Sequence, residues 1–269
     1  MRGAETMLEE EGREIRRHIV DMACRAGGGH VAPSLSCVEI LVALYYRVLS
    51  VENPRWENRD RFILSKGHAA LALYAVLARK GYFPQSWLDT YGLAGGKLGG
   101  MSEPTVPGVV TSTGALGHGL SVGAGMAWAA RMEGSPYRVF VLMGDGECQE
   151  GSVWEAAAFA GHHQLSNLTA IIDRNRLQAL DETERVTGLE PLGNRWRSFG
   201  WQVAEVDGHD VNAVADSLER PHTGPRILIA RTIKGRGVSY MENQAIWHYR
   251  IPNQEEKNIA ESELRRPCS

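Results

Sequence analysis

The stretch from residue 139 to 178 constrains the fold more than any other part of the sequence. It starts with an apolar run from Val139 to Met143, and a second apolar run, Leu168 to Ile172, follows a segment whose apolar residues have helical spacing. Strand, helix and strand in this order form a right-handed crossover, which places both strands side by side and parallel. Their carboxyl ends then share one edge of the sheet, where open α/β sheets bind ligands.

Polar residues follow both of these predicted strands. Gly144-Asp145-Gly146 ends the first strand, and Asn175 comes after the second. Carboxylate and amide oxygens suit a hard divalent cation that also holds phosphate oxygens, and the glycines let backbone N–H groups approach an anion. A GDG sequence alone is more often a tight turn with a capping aspartate. The asparagine after the neighbouring strand favours a metal and diphosphate site.

The rest of the chain alternates in the same way and predicts an α/β fold. Further strands are predicted near residues 60–65, 200–206 and 226–230, with helices between them. Residues 92–108 are rich in Gly and Pro and predict a long loop. Polar stretches at 181–197 and about 251–269 are predicted to lie at the surface, the second as a partly disordered tail.

Several motifs, in one order along the chain, resemble those of transketolases from about Glu11 to Trp247. The motifs are GGGHVAPSLSCVEI, SKGHAALALYAVL, STGALGHGLSVGAGMA, GDGECQEGSVWEAAAFAGHH, GWQVAEVDGHD and ARTIKGRGVSYMEN. The resemblance is to the first domain of that family, which holds the diphosphate of the cofactor. It implies a three-layer thiamine diphosphate-binding fold, in which helices flank a parallel sheet, as a single domain over residues 1–269.

The resemblance also implies a cofactor, a metal and site residues. The cofactor is thiamine diphosphate with Mg²⁺, for which Ca²⁺ or Mn²⁺ can substitute. The implied metal ligands are Asp145, Asn175 and the backbone carbonyl of Leu177. The implied cofactor contacts are His68, Gly114, Ala115, Leu116, Gly144, Gly146, Asp173, Asn175, Lys234 and His248. The implied catalytic residues are His30 and His248, which handle substrate protons, and Glu150, which in the family joins a carboxylate network across a dimer.

Two positions depart from the family pattern near the expected substrate. Met101 lies closest to the place where many transketolases carry a histidine that contacts the sugar, and methionine cannot donate a hydrogen bond to a hydroxyl. Tyr249 follows His248 where the family has glycine, which predicts a narrower cleft. These changes leave open a less phosphorylated donor or acceptor, such as a sulfosugar or a substrate of specialised metabolism.

The chain also lacks the family's second domain, which supplies the pyrimidine-binding half of the active site. After Arg231 too few residues remain to build it. We therefore expect the N-terminal subunit of a split transketolase, active with a C-terminal subunit in a heterotetramer built on a dimer. The expected reaction transfers a two-carbon ketol unit from a ketose to an aldose. A pseudo-subunit without turnover is an alternative, against which the retention of Asp145, Asn175, His68 and His248 argues.

The composition excludes several other classes of function. A net charge of −3 argues against a nucleic-acid binder that relies on phosphate contacts, and no apolar run reaches the length of a membrane span. The acidic start, Glu5 to Glu11, lacks the pattern of a signal peptide. The four cysteines form no CxxC pair, so we expect free thiols and a cytoplasmic protein.

Overall fold

The structure is a computed structural model that describes residues 2–51, 57–179 and 181–265. Within these residues five strands form one sheet, in the order β1-β2-β3-β5-β4, and every neighbouring pair is parallel. The strands are β1 (Arg61–Leu64), β2 (Val139–Gly144), β3 (Leu168–Arg174), β4 (Gln202–Asp207) and β5 (Arg226–Arg231). All five predicted strands are confirmed, and so is the parallel pairing of β2 with β3.

Helices connect these strands and cover both faces of the sheet. In the described residues the α-helices are α1 (Arg2–Ala26), α2 (Val31–Leu35), α3 (Val38–Ala43), α4 (Ala70–Arg79), α5 (His118–Glu133), α6 (Gly151–His162), α7 (Thr183–Val186), α8 (Leu192–Ser198), α9 (Val211–Glu219) and α10 (Gln254–Leu264). Short 3₁₀ segments occur at Gly67–Ala69, Gln85–Thr90, Gly146–Gln149 and Ala245–His248, and a π-helical turn occurs at Leu44–Val48.

The alternation of side chains along the strands divides the core in two. On β2, Phe140 and Leu142 pack with the cluster that contains α1, α3, α4 and α9. Val139, Val141 and Met143 point to the opposite face and pack with α5, α6 and α8. Because both faces of the strand are covered, its residues form a continuous apolar run rather than an alternating one. The predicted three-layer α/β architecture is confirmed.

The segment predicted as a polar tail contains a helix. Asn253 and Glu256 form a capping box at the start of α10, which packs on α1 through two buried residues one helical turn apart, Ala260 and Leu264. The expectation of disorder is therefore wrong for residues 254–264. The final residues, 266–269, lie outside the described part of the chain.

Helix α6 approaches the segment before β4 so closely that a glycine is required. A Cβ on Gly161 would overlap the carbonyl oxygen of Phe199. We expect Gly161→Ala to lower the free energy of unfolding by about 1–3 kcal/mol, because the overlap forces the backbone to shift. Urea denaturation measures this change.

Gly125→Ala in α5 is the matched control for that substitution. The Cβ position of Gly125 has open space around it, so alanine should be neutral or stabilising by up to about 1 kcal/mol. A Gly161→Ala variant as stable as the native protein would contradict the packing described for α6.

Candidate active site at the carboxyl edge of the sheet

A cavity of about 420 Å³ lies where the central strands end. Its walls come from the segments that follow β1, β2, β3 and β5, together with the turn before α2. The predicted site residues that line it are His30, His68, Gly114, Leu116, Gly144, Asp145, Gly146, Glu150, Asn175, Leu177, Lys234 and His248. Most of the residues selected from the sequence thus converge on one cavity at one sheet edge.

Asp145 and Asn175 lie close together, as the crossover requires. Gly144 pairs with Asp173 in the β2–β3 register, so the two strands end side by side. Oδ2 of Asp145 accepts a hydrogen bond from the backbone N–H of Arg176, the neighbour of Asn175, over 2.5 Å. Oδ1 of Asp145 also accepts from Gly146 N–H over 2.7 Å and caps the following 3₁₀ turn. Asp145 therefore caps the turn that follows β2 and also lies at the same sheet edge as Asn175.

The carbonyl of Leu177 faces a positive charge across the cavity. Lys234 Nζ lies 3.1 Å from Leu177 O, 3.4 Å from Gln178 O and 2.7 Å from His248 Nδ1. Burial, together with the nearby charge of Lys66, lowers the pKa of Lys234 to about 8. These three contacts are with neutral groups, so the ammonium charge is offset only by the carboxylates of Asp145 and Asp173.

Three histidines form a compact cluster on one wall. The ring centroids of His30, His68 and His248 lie 5.2–5.4 Å apart in all three pairs. Burial and the nearby lysines lower the pKa of His30 to about 4 and that of His248 to about 3. Burial and Lys66 also hold the pKa of His68 well below its ordinary value. The cluster is therefore neutral at pH 7, and each imidazole can both donate and accept a hydrogen bond.

A buried ion pair lies at the base of the cavity, where Lys66 lines the cavity and Asp173 does not. Lys66 Nζ donates to Oδ2 of Asp173 and to the carbonyl of Pro33, and neither charged side chain is more than 1% exposed. Burial opposes both charges, but the pair stabilises them, so the pKa of Asp173 is lowered and that of Lys66 is raised. Asp173 is thus a support under the cavity rather than part of its wall.

Sequence reasoning did not select Lys66, Glu147 and Arg174. Glu147 is buried and accepts from Ser65 Oγ, from Gly117 N–H over 2.9 Å and from Gly144 N–H over 3.1 Å, which joins three segments of the wall. The charged residue within the SKGH motif and the one directly after GDG were the signals that would have found Lys66 and Glu147. The pair of charged residues after the apolar run that ends at Ile172 would likewise have indicated Arg174.

Arg174 also shows that residues 181–197 do more than cover the surface. Its guanidinium contacts Asp145 over 3.1 Å, Glu184 over 3.0 Å and Glu190 over 2.7 Å. Trp196 in the same stretch is fully buried. The prediction that this stretch is exposed is therefore wrong for Trp196. Glu184 and Glu190 connect the stretch to the site through Arg174.

The remaining predicted residues lie at the margins of the cavity. Ala115 is exposed and does not line it, and Glu150 is exposed on its rim. Met101 forms part of the wall, with its Cγ 3.4 Å from the Cβ position of Gly114. The ring of Tyr249 packs 4.7 Å from that of His30 and is 61% exposed. Both departures from the family pattern thus lie beside the cavity.

Two observations limit what the described residues can form by themselves. In this part of the chain, no group of three or more His, Cys, Asp and Glu side chains is arranged to hold a metal ion. A metal site here would need the amide and carbonyl oxygens of Asn175 and Leu177 beside Asp145.

Of the described helices, none has the length and apolar character needed to cross a bilayer.

Comparisons with known proteins show the family of this chain. Residues 9–262 match the family model described as the transketolase, thiamine diphosphate binding domain. Over 262 residues the chain is 44% identical to an apulose-4-phosphate transketolase subunit of Phocaeicola vulgatus, covering 96% of this chain and 93% of that protein. Over 265 residues it is 39% identical to the 6-deoxy-6-sulfo-D-fructose transketolase subunit SqwG of Clostridium sp., covering 96% of each.

The fold is also similar to that of solved transketolases. The crystal structure of transketolase from Campylobacter jejuni superposes with a TM-score of 0.91 at 30% identity, covering 96% of this chain but 42% of that one. The chain therefore spans less than half of a full transketolase and nearly all of the two relatives named as transketolase subunits, whose names imply a partner chain. With its family match, its relatives and its fold in agreement, the chain belongs to the transketolase family as a thiamine diphosphate-binding domain.

Proposed function

We propose that this protein is the N-terminal subunit of a split transketolase. With a C-terminal partner chain it transfers a two-carbon ketol unit from a ketose donor to an aldose acceptor, using thiamine diphosphate and Mg²⁺. The observation that carries this proposal is the convergence of Asp145, Asn175, the Leu177 carbonyl, His68 and Lys234 on one cavity. These groups place cation ligands and anion-binding donors in the same cavity.

The donor set fits a diphosphate held through a divalent cation. Asp145, Asn175 and Leu177 offer a carboxylate, an amide oxygen and a carbonyl oxygen, all hard ligands that suit Mg²⁺ and also Ca²⁺ or Mn²⁺. The Leu177 and Gln178 carbonyls already face a cation in the form of the Lys234 ammonium. Lys234, His68 and the glycine backbone at Gly114, Gly144 and Gly146 would hold the phosphate oxygens.

The histidine cluster would hold and move protons on the sugar. When bound, thiamine diphosphate supplies the electron sink for breaking the ketose bond next to the carbonyl, while the protein supplies binding and orientation. His30 and His248 are neutral at pH 7, so each can accept a hydroxyl proton or donate a hydrogen bond. Lys234 Nζ contacts His248 Nδ1, which orients that ring relative to the diphosphate side.

The partner would close the open side of the cavity. Leu116 and Val186 line the cavity yet are 37% and 43% exposed, and Glu150 lies exposed beside them. We assign Glu150 to the carboxylate network between protomers and infer a heterotetramer built on a dimer.

The described cysteines, Cys24, Cys37 and Cys148, are free, which supports the expected cytoplasmic location.

A second candidate changes the substrate and keeps the reaction. Met101 lines the cavity without a donor for a sugar hydroxyl, and Tyr249 narrows the approach to His30. Relatives with 44% and 39% identity are named for apulose 4-phosphate and for 6-deoxy-6-sulfo-D-fructose. These observations favour a donor or acceptor other than the common ketose and aldose phosphates.

The partner requirement is tested with purified subunits. We expect the chain alone to transfer no ketol unit, because it forms only the diphosphate side of the cavity, and the mixture with a C-terminal subunit to be active. The assay measures the aldose product with xylulose 5-phosphate and a panel of other ketoses, including sulfonated ones. Turnover by the chain alone would contradict the split site. No turnover on any donor by a cofactor-loaded complex would instead support the alternative of a pseudo-subunit.

The metal assignment is tested at Asp145. We expect Asp145→Asn to raise the Kd for magnesium and thiamine diphosphate by at least about tenfold, because the charge facing the cation is lost. Isothermal titration calorimetry with the assembled subunits measures the affinity, with EDTA as the metal-free comparison. The matched control is Asp216→Asn, which changes an exposed aspartate paired with Arg47 and should bind as the native protein does. Unchanged affinity in Asp145→Asn would exclude this site.

The low pKa of His30 gives a pH-dependent stability. Between the ordinary histidine pKa near 6.5 and the folded value of about 4, the unfolded chain binds more protons than the folded one. Stability should therefore fall as the pH falls through this window. We expect the Tm of the native protein to decrease more steeply from pH 7 to pH 4.5 than that of His30→Gln. Parallel curves for the two proteins would show that His30 protonates normally.

A further inference from the structure

The segment that carries Lys234 is attached to the rest of the protein at several points. Gly235 N–H donates to Ala32 O over 3.1 Å, and Asn243 N–H donates to Lys234 O over 3.0 Å. The segment has left-handed backbone at Gly235, with a φ of +80°. A Cβ there would lie 2.6 Å from the Met241 carbonyl oxygen. The backbone around Lys234 is therefore shaped by contacts outside the cavity.

One of these contacts comes from a histidine at the far side of the segment. The backbone N–H of Ile233 donates to Nε2 of His209 over 2.7 Å. Because Nε2 accepts, Nδ1 carries the proton of the neutral ring and faces Oε2 of Glu39 at 3.0 Å. His209 thus connects the residue before Lys234 to helix α3.

A buried arginine completes this connection. Arg16 of α1 is 6% exposed, and its Nη2 lies 2.6 Å from Oε1 of Glu39. Its Nε donates to the carbonyl of Arg236 over 3.0 Å. Arg16, Glu39 and His209, which we call the clamp, therefore hold the segment at Ile233 and again at Arg236. Lys234 lies between these two points.

We propose that the clamp positions Lys234, with His209 as the decisive positioning residue, so that the ammonium is directed at the diphosphate side of the cavity. The clamp touches none of the cavity groups itself, and its residues do not line the cavity. It acts by fixing the backbone on both sides of a long, flexible side chain, and misplacement of a binding group by about 1 Å reduces its effect strongly. This proposal rests on the function proposed above.

Two substitutions at His209 separate its two hydrogen bonds. The amide of glutamine reaches the place of Nε2, so His209→Gln keeps an acceptor for Ile233 N–H. The shorter asparagine reaches the place of Nδ1, so His209→Asn keeps a donor for Glu39 but leaves Ile233 unpaired. If His209 acts through Ile233, His209→Gln must resemble the native protein and His209→Asn must be impaired, both in hydrogen exchange at Ile233 and in cofactor affinity.

The first measurement is amide hydrogen exchange over residues 232–238 in the protein without cofactor. We expect slow exchange at Ile233 in the native protein and in His209→Gln, and fast exchange in His209→Asn. Fast exchange at Ile233 in the native protein would overturn the proposal whether or not either variant folds.

The second measurement is the affinity for thiamine diphosphate with magnesium, by calorimetry on the assembled subunits. We expect His209→Asn to weaken binding by about tenfold and His209→Gln to stay within about threefold of native. Equal affinities in the two variants would overturn the proposal. If the native complex binds no cofactor, the proposed function fails, whereas the exchange measurement still decides whether His209 holds the segment.

Discussion

The buried carboxylate of Asp173 is the contact on which the arrangement of the site depends. It accepts hydrogen bonds from Lys66 at the end of β1, from Thr232 at the end of β5 and from Ser36 between α2 and α3. A carboxylate without exposed surface is stable only when its charge and lone pairs are satisfied. That requirement fixes three distant segments relative to β3. Lys66, Thr232 and Asp173 are each followed two residues later by a cavity residue, respectively His68, Lys234 and Asn175.

The electrostatics of the cavity follow from this pairing. Lys66 is paired with Asp173, and Asp145 is paired with Arg174, so the charges of both lining residues are compensated. The histidine cluster is neutral, and Lys234 contacts neutral groups. Burial disfavours the protonated form of Lys234 and lowers its pKa to about 8. An anion in the cavity would stabilise the protonated form and raise that pKa. The cavity thus holds a buried cation whose charge is only partly compensated, and this favours the binding of an anion.

The sequence predicted the sheet and the common edge because both depend on local patterns. Apolar runs identify strands, and a crossover of fixed hand places their ends together. The proximity of Asp145 and Asn175 could therefore be predicted from the sequence. The buried pairs were missed because their partners are distant in the chain, as with Lys66 and Asp173. The helix at residues 254–264 was missed because its polar composition hides the two residues that pack, Ala260 and Leu264. Roles implied by the family resemblance came from matched motifs, and composition alone would not have supplied them.

The division of the active site between two chains is physically reasonable for this domain. Each face of the sheet has its own apolar cluster, so the sheet needs no partner to bury it. The cavity differs, because Leu116 and Val186 on its wall remain partly exposed. Covering these side chains would expel water and strengthen every electrostatic contact inside. If a partner covers these side chains, its binding would be coupled to that of the cofactor, and by linkage each would raise the affinity for the other by the same factor. By the same argument, the subunit alone would bind the cofactor more weakly than the assembled pair does.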